Sequence, residues 1–189
     1  MSRLYALPSQ TVGPFYHFSL TVNPALGCMT TADAKGEHIR VRFRVLDGDG
    51  TPIPDGFLEL WQADAAGKYH HPADTQKMQP DPAFCGFGRL ATDRDGYCTF
   101  DTVRPGRTPD GRGGCQASHI NVTVFARGLL AQLATRLYFE GDPALAEDAV
   151  WNLVPEERRG TLLARRNSEG VWCFDIRLQG ENETVFFQL

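Results

Sequence analysis

The run His38-Ile39-Arg40-Val41-Arg42-Phe43-Arg44-Val45 alternates polar and apolar side chains without a break. Successive side chains of a strand point to opposite faces, so Ile39, Val41, Phe43 and Val45 share one face and three arginines the other. Strand signals recur along the rest of the chain. Asp47-Gly48-Asp49-Gly50 makes a turn into a strand from Phe57 to Gln62. Gly88 to Thr92 and Tyr97 to Val103 flank Asp93-Arg94-Asp95-Gly96 as a hairpin. His119 to Phe125 and Leu133 to Phe139 form another pair, and Val171 to Gln179 with Glu183 to Phe187 close the chain. Two helical segments interrupt the pattern: Pro143 to Trp151 behind Asp142 as N-cap, and a second starting at Pro155 and running toward Arg166. These elements predict an all-β fold, a two-sheet β-sandwich with a short helical excursion. The segment before Lys35 is polar, punctuated by Gly and Pro, and reads as an extended N-terminal arm that gains order by lying against something else.

With 189 residues, residues 1–189 read as a single domain that buries about 70% of its unfolded surface. The net charge of −4 with no basic run gives nucleic-acid binding no electrostatic support. No apolar stretch approaches the roughly 20 residues that span a bilayer, and the start lacks the apolar core of a signal peptide. Cys28, Cys85, Cys98, Cys115 and Cys173 are scattered and odd in number, which reads as reduced thiols in a cytoplasm.

His119-Ile120-Asn121 carries the functional argument. On a strand, His-x-His would aim two imidazoles at one metal ion, but an amide stands at the second position, and asparagine is a poor ligand for such a metal. Tyr69 upstream offers one phenolate. No tyrosine occurs between Tyr97 and Tyr138, and the Gly- and Pro-rich loop from Arg104 to Gln116 offers none. His70 and His71 are adjacent, so on an extended segment they do not both face inward; solvated or capping roles suit them.

Pro8-Ser9-Gln10-Thr11-Val12-Gly13-Pro14-Phe15-Tyr16-His17, Glu59-Leu60-Trp61-Gln62-Ala63-Asp64 with Gly67-Lys68-Tyr69, and Gly86-Phe87-Gly88-Arg89 resemble the intradiol ring-cleavage dioxygenases. So do Thr92 to Tyr97, Leu137 to Asp142, Phe174 to Gly180 and Thr184 to Phe187, which extends the resemblance over nearly the whole chain. The family's fold, by the same resemblance, is the β-sandwich. Its ferric ion is held by two tyrosinates and a His-x-His pair. Tyr69 and His119 match two of these four ligands, Asn121 stands at the third, and Thr108 or its neighbours at the fourth. Tyr69, His119 and Asn121 are therefore relic positions, and the resemblance implies no metal in this chain.

The segment Ser118-His119-Ile120-Asn121 leading to Phe125-Ala126-Arg127-Gly128 resembles the non-iron-binding alpha type of subunit, found in members that cleave 3,4-dihydroxybenzoate to 3-carboxy-cis,cis-muconate with O2. In those members Fe(3+) sits in a homologous beta subunit. The resemblance implies a hetero-oligomer in which residues 1–34 pack on the partner. Thr11, Gly13 and Pro14 would narrow the partner's substrate cavity, and Arg127 would line it. Arg127 lies eight residues from His119, about 26 Å along an extended strand, so the two serve different ends of it. Taken alone, Arg127 also reads as a solvated rim arginine, the Thr11–Pro14 segment as an ordinary turn, and Arg40, Arg42 and Arg44 as a solvated or partner-facing stripe. Two other functions fit the same sequence: a self-sufficient intradiol dioxygenase with altered ligands, and a non-catalytic β-sandwich binding module.

Overall fold

The computed structural model describes residue 13 and residues 16–188. Along them run β1 (His38–Leu46), β2 (Phe57–Trp61), β3 (Phe87–Ala91), β4 (Tyr97–Val103) and β5 (Thr108–Pro109). They continue with β6 (Cys115–Gln116), β7 (His119–Phe125), β8 (Leu133–Phe139), β9 (Leu163–Arg166) and β10 (Trp172–Arg177). Eight of these form one sheet in the order β3-β2-β7-β8-β9-β10-β1-β4, and β5 with β6 forms a separate two-stranded ribbon. The chain is thus mostly β. α1 (Tyr16–Leu20) and α2 (Ala149–Leu153) are its short α-helices among the described residues.

The alternation in β1 sets the core. Val41, Phe43 and Val45 are fully buried, while Arg40 opposite them is exposed. Phe43 packs edge-on against Phe100 of β4 at 5.7 Å and Phe174 of β10 at 5.9 Å. Side chains of β2, β7 and β8 (Leu58, Leu60, Ile120, Val122, Val124, Leu137, Phe139) belong to the same buried cluster. Each large side chain fully withdrawn from water contributes roughly 1.5–3 kcal/mol. The arginine stripe is met within the chain: Arg40 Nε donates to Asp101 at 2.7 Å, and Arg42 and Arg44 lie over the Tyr97 ring.

The helical expectations need correction. Pro143 to Trp151 is a 3-10 turn, Pro143–Glu147, followed by α2. Asp142 does cap the turn, accepting from Ala144 N. Asp148 then breaks the run, because its extended backbone ends the turn while its carboxylate accepts from Val150 N and Trp151 N to start α2. Pro155 is itself the cap of a second 3-10 segment, Glu156–Leu162, rather than its first helical residue. Beyond it, Leu163 to Arg166 is strand, not helix. Leu163 and Ala164 pair parallel with Tyr138 and Phe139, and Arg165 and Arg166 pair with Cys173 and Trp172. This four-residue strand joins the β3-β2-β7-β8 group to the β10-β1-β4 group and makes the larger sheet continuous. Glu183 to Phe187 is extended but makes only an isolated bridge, Phe187 to Ala134.

Candidate functional site

Antiparallel register places the site on the face of β7 turned away from the large core. Asn121 lies opposite Trp61 of β2 on one side and Arg136 of β8 on the other, and His119 lies opposite Tyr138. Residues opposite one another in such a pair share a face, so His119, Asn121, Trp61, Arg136 and Tyr138 converge. The helical excursion covers this face through Trp151, whose ring meets Tyr138 edge-on at 5.3 Å. Asp148, fully buried, ties the excursion to the site by accepting from Ala117 N at 2.7 Å and lying 3.5 Å from the Tyr138 hydroxyl.

His119 is 2% exposed. Its Nδ1 donates to the Ala117 carbonyl at 2.8 Å, which leaves Nε2 as the acceptor. The Tyr69 hydroxyl lies 3.4 Å from that nitrogen and accepts from Asn121 Nδ2 at 3.3 Å; the amide also donates to the Trp61 carbonyl. Tyr69, His119 and Asn121 therefore meet, and hydrogen bonds through the Tyr69 hydroxyl join them. Burial, helped by the Arg136 charge, pulls the His119 pKa down to about 4. Burial also raises the Tyr69 pKa; Asn121 and Arg136 oppose this, while Asp74 adds to it. Both groups are neutral near pH 7.

Tyr69 is presented by a loop built around a buried ion pair. Lys68 Nζ meets Asp74 Oδ1 at 3.0 Å and donates to the carbonyls of Asp74 and Gln76. The Asp74 carboxylate accepts from the backbone N–H groups of Tyr69 and Gln76. Burial alone would raise the Asp74 pKa, but these hydrogen bonds and Lys68 hold it at about 2. His71, on the same loop, is exposed, and its Nδ1 accepts from Ala73 N, a capping role. Trp61, Tyr69, Thr108 and Gln116 line a cavity of about 510 Å³ against the β5–β6 ribbon, with Trp61 and Tyr69 stacked at 5.9 Å.

The donor set does not fit ferric iron. Tyr69 and His119 are hydrogen-bonded to one another, Asn121 offers an amide, and the Thr108 hydroxyl is a neutral oxygen. A trivalent ion held by one phenolate and one imidazole keeps most of its charge uncompensated. Arg136 adds to the cost. It is half-buried, with Nη1 donating to Gln116 Oε1 at 2.6 Å, and among the described residues it has no carboxylate in ion-pair range. No cluster of three or more His, Cys, Asp or Glu that could hold a metal occurs among the described residues. Arg136 and Asp148 did not stand out in the sequence. A lone charge inside the apolar run of β8 was the available signal for the first, and nothing local marks the second.

Arg127 belongs to the opposite end of β7, beyond Phe125, which pairs with Phe57 at the start of β2. Its side chain is 75% exposed and ion-pairs with Asp55, Nε donating to Oδ2 and Nη2 lying against the same oxygen. The Tyr16 hydroxyl donates to the Asp55 carbonyl, and the Tyr16 ring packs on Phe57, which stacks on Phe125 at 4.4 Å. Gly13 is exposed, and the Tyr16 amide donates to its carbonyl at 3.2 Å. The arm and Arg127 thus share one rim. Thr11 and Pro14 lie outside the described residues.

A family model described as "Dioxygenase" matches residues 12–180. The chain is 43% identical over 195 residues to the protocatechuate 3,4-dioxygenase alpha chain of Pseudomonas putida, covering 95% of this chain and 94% of that one. It is 36% identical over 185 residues to the protocatechuate 3,4-dioxygenase beta chain of Burkholderia cepacia, covering 93% and 77%. Among solved structures, it is similar to the dioxygenase domain of a carbohydrate-binding fusion from Streptomyces sp. SirexAA-E. The TM-score there is 0.62 at 26% identity, over 92% of this chain and 97% of that one.

Proposed function

The chain belongs to the intradiol ring-cleavage dioxygenase family, and from that premise we propose that it is an alpha-type subunit that binds no iron of its own. It acts in a hetero-oligomer with a homologous beta-type subunit that carries Fe(3+), and the assembly cleaves 3,4-dihydroxybenzoate with O2 to 3-carboxy-cis,cis-muconate. The observation that carries this reading is the Asn121–Tyr69–His119 hydrogen-bond chain, which uses the surviving donors on one another. The same donor poverty argues against a self-sufficient dioxygenase. Similarity along the whole length to alpha and beta chains alike argues against a detached binding module. On this reading the eight-stranded sheet folds over its core as a single sandwich domain, the N-terminal arm reaches the partner ahead of Met29 and Ala34, which join this chain's own core, and the five free thiols suit a cytoplasmic setting.

This chain's contribution lies at the Arg127 rim. A guanidinium set beside the partner's cavity favours an anionic aromatic substrate and the negative charge that develops on it. By the family resemblance, Thr11, Gly13 and Pro14 are assigned the narrowing of that cavity. The test is to assemble the chain with a homologous subunit that retains both tyrosines and His-x-His, and to compare Arg127→Ala with the parent. Loss of one fixed charge-stabilising donor should lower kcat/KM by roughly ten- to a hundredfold without dissolving the assembly. Unchanged kinetics in a fully assembled complex would refute the role.

A further inference from the structure

We propose that Asp55 is the positioning residue for Arg127, holding the guanidinium and the N-terminal segment together as one preset unit. The proposal rests on the role given to Arg127 above and deepens it. Arg127 sits on a three-quarters-exposed side chain that would otherwise sample many rotamers. Nε donates to Asp55 Oδ2 and Nη2 ion-pairs with the same oxygen, so one edge of the fork is anchored on the carboxylate. The Nη1 amino group has no protein acceptor among the described residues and stays available to an anion.

Asp55 is itself held. Two residues earlier, the Ile53 carbonyl accepts from Thr92 Oγ1 at 2.8 Å, and the following Gly56 amide donates to that hydroxyl oxygen at 3.0 Å. The Gly56 carbonyl accepts from Thr92 N at 2.9 Å, and Thr92 is buried. The carboxylate thus stands on a loop pinned at both sides. The Asp55 backbone carbonyl receives the Tyr16 hydroxyl, and the Tyr16–Phe57–Phe125 stack runs beneath from the arm to the end of β7, two residues before Arg127. Burial, then the Asp55 charge, raises the Tyr16 pKa, so its hydroxyl stays a donor. Ordering of the cation is in this way completed before any partner or substrate arrives, which is where preorganisation raises rate.

A double-mutant cycle in the assembled complex tests the idea. Asp55→Asn keeps shape and the Arg127 charge but gives up the charge-assisted anchor. We expect kcat to fall about three- to tenfold with KM little changed, and Asp55→Glu to recover part of the loss. In an Arg127→Ala background, Asp55→Asn should cost nothing more, because the group it positions is gone. Equal losses in both backgrounds, with sedimentation and melting temperature preserved, would show a merely structural role and overturn the proposal. An impaired Arg127→Ala complex beside an unaltered Asp55→Asn complex overturns the positioning role alone. A silent Arg127→Ala removes the reading of the rim on which it stands.

Discussion

The Tyr69 hydroxyl lies 3.4 Å from His119 Nε2, so these two side chains are turned toward one another. The His119 tautomer is set by the Ala117 carbonyl, and the Tyr69 oxygen is supplied with a hydrogen by Asn121. Hydrogen bonding thereby satisfies polar atoms that metal coordination satisfies in a His-x-His centre, and it does so without burying another charge beside Arg136.

The purified chain mixed alone with ferric salt should stay colourless and hold iron well below one atom per molecule. Visible charge transfer requires a tyrosinate on the ion, and Tyr69 resists ionisation because it is buried. Elemental analysis and the visible spectrum check this. A stoichiometric coloured complex from this chain by itself would contradict the donor count.

Asn121→Ala should move the Tyr69 titration to higher pH. The Asn121 hydrogen bond is the largest influence holding the Tyr69 pKa down against burial, and removing it leaves the phenolate without that donor. The phenol–phenolate absorbance change follows the shift directly. Loss of the bond should also cost about 1 kcal/mol of stability in denaturant unfolding.

Asp74→Ala should destabilise the chain by about 3–5 kcal/mol, the cost of stranding a buried cation. Lys68, 6% exposed, would lose its carboxylate, and the amides of Tyr69 and Gln76 would lose their acceptor. Replacing both members of the pair, as in Lys68→Met with Asp74→Ala, should cost less than the single change, since no charge is then left buried alone. Urea unfolding of the three variants decides it.

The strand content was legible because β1, β4, β7 and β8 alternate or carry β-branched and aromatic residues over seven to nine positions. The shared face of His119 and Asn121 was legible because two-residue spacing on β7 puts them together wherever the strand lies. β9 was not, since Leu163-Ala164-Arg165-Arg166 is too short for periodicity and is strand only because β8 and β10 flank it. The β5–β6 ribbon hides in a Gly-rich loop whose turn is closed by Asp110 and Gly114. Asp55 could not be chosen from sequence, because its link to Arg127 spans 72 positions and depends on β2 pairing with β7.

The stability of the chain should decline between pH 6.5 and pH 4 by an amount traceable to His119. Its pKa in the folded chain is about 4, against 6.5 for an unperturbed imidazole. Where a folded-state pKa lies below the unfolded one, the unfolded chain binds the extra proton, so stability rises with pH across that window. The contribution is complete above pH 6.5, is lost as pH falls toward 4, and is worth roughly 3 kcal/mol in all. His119→Gln keeps a side chain able to meet the Tyr69 hydroxyl but does not titrate. Its stability, measured by denaturant unfolding from pH 8 to pH 4, should lie below the parent's at neutral pH and converge with it as the medium becomes acid. Two curves that stay parallel across the window would mean that His119 is not held neutral by its burial against Tyr138 and beside Arg136.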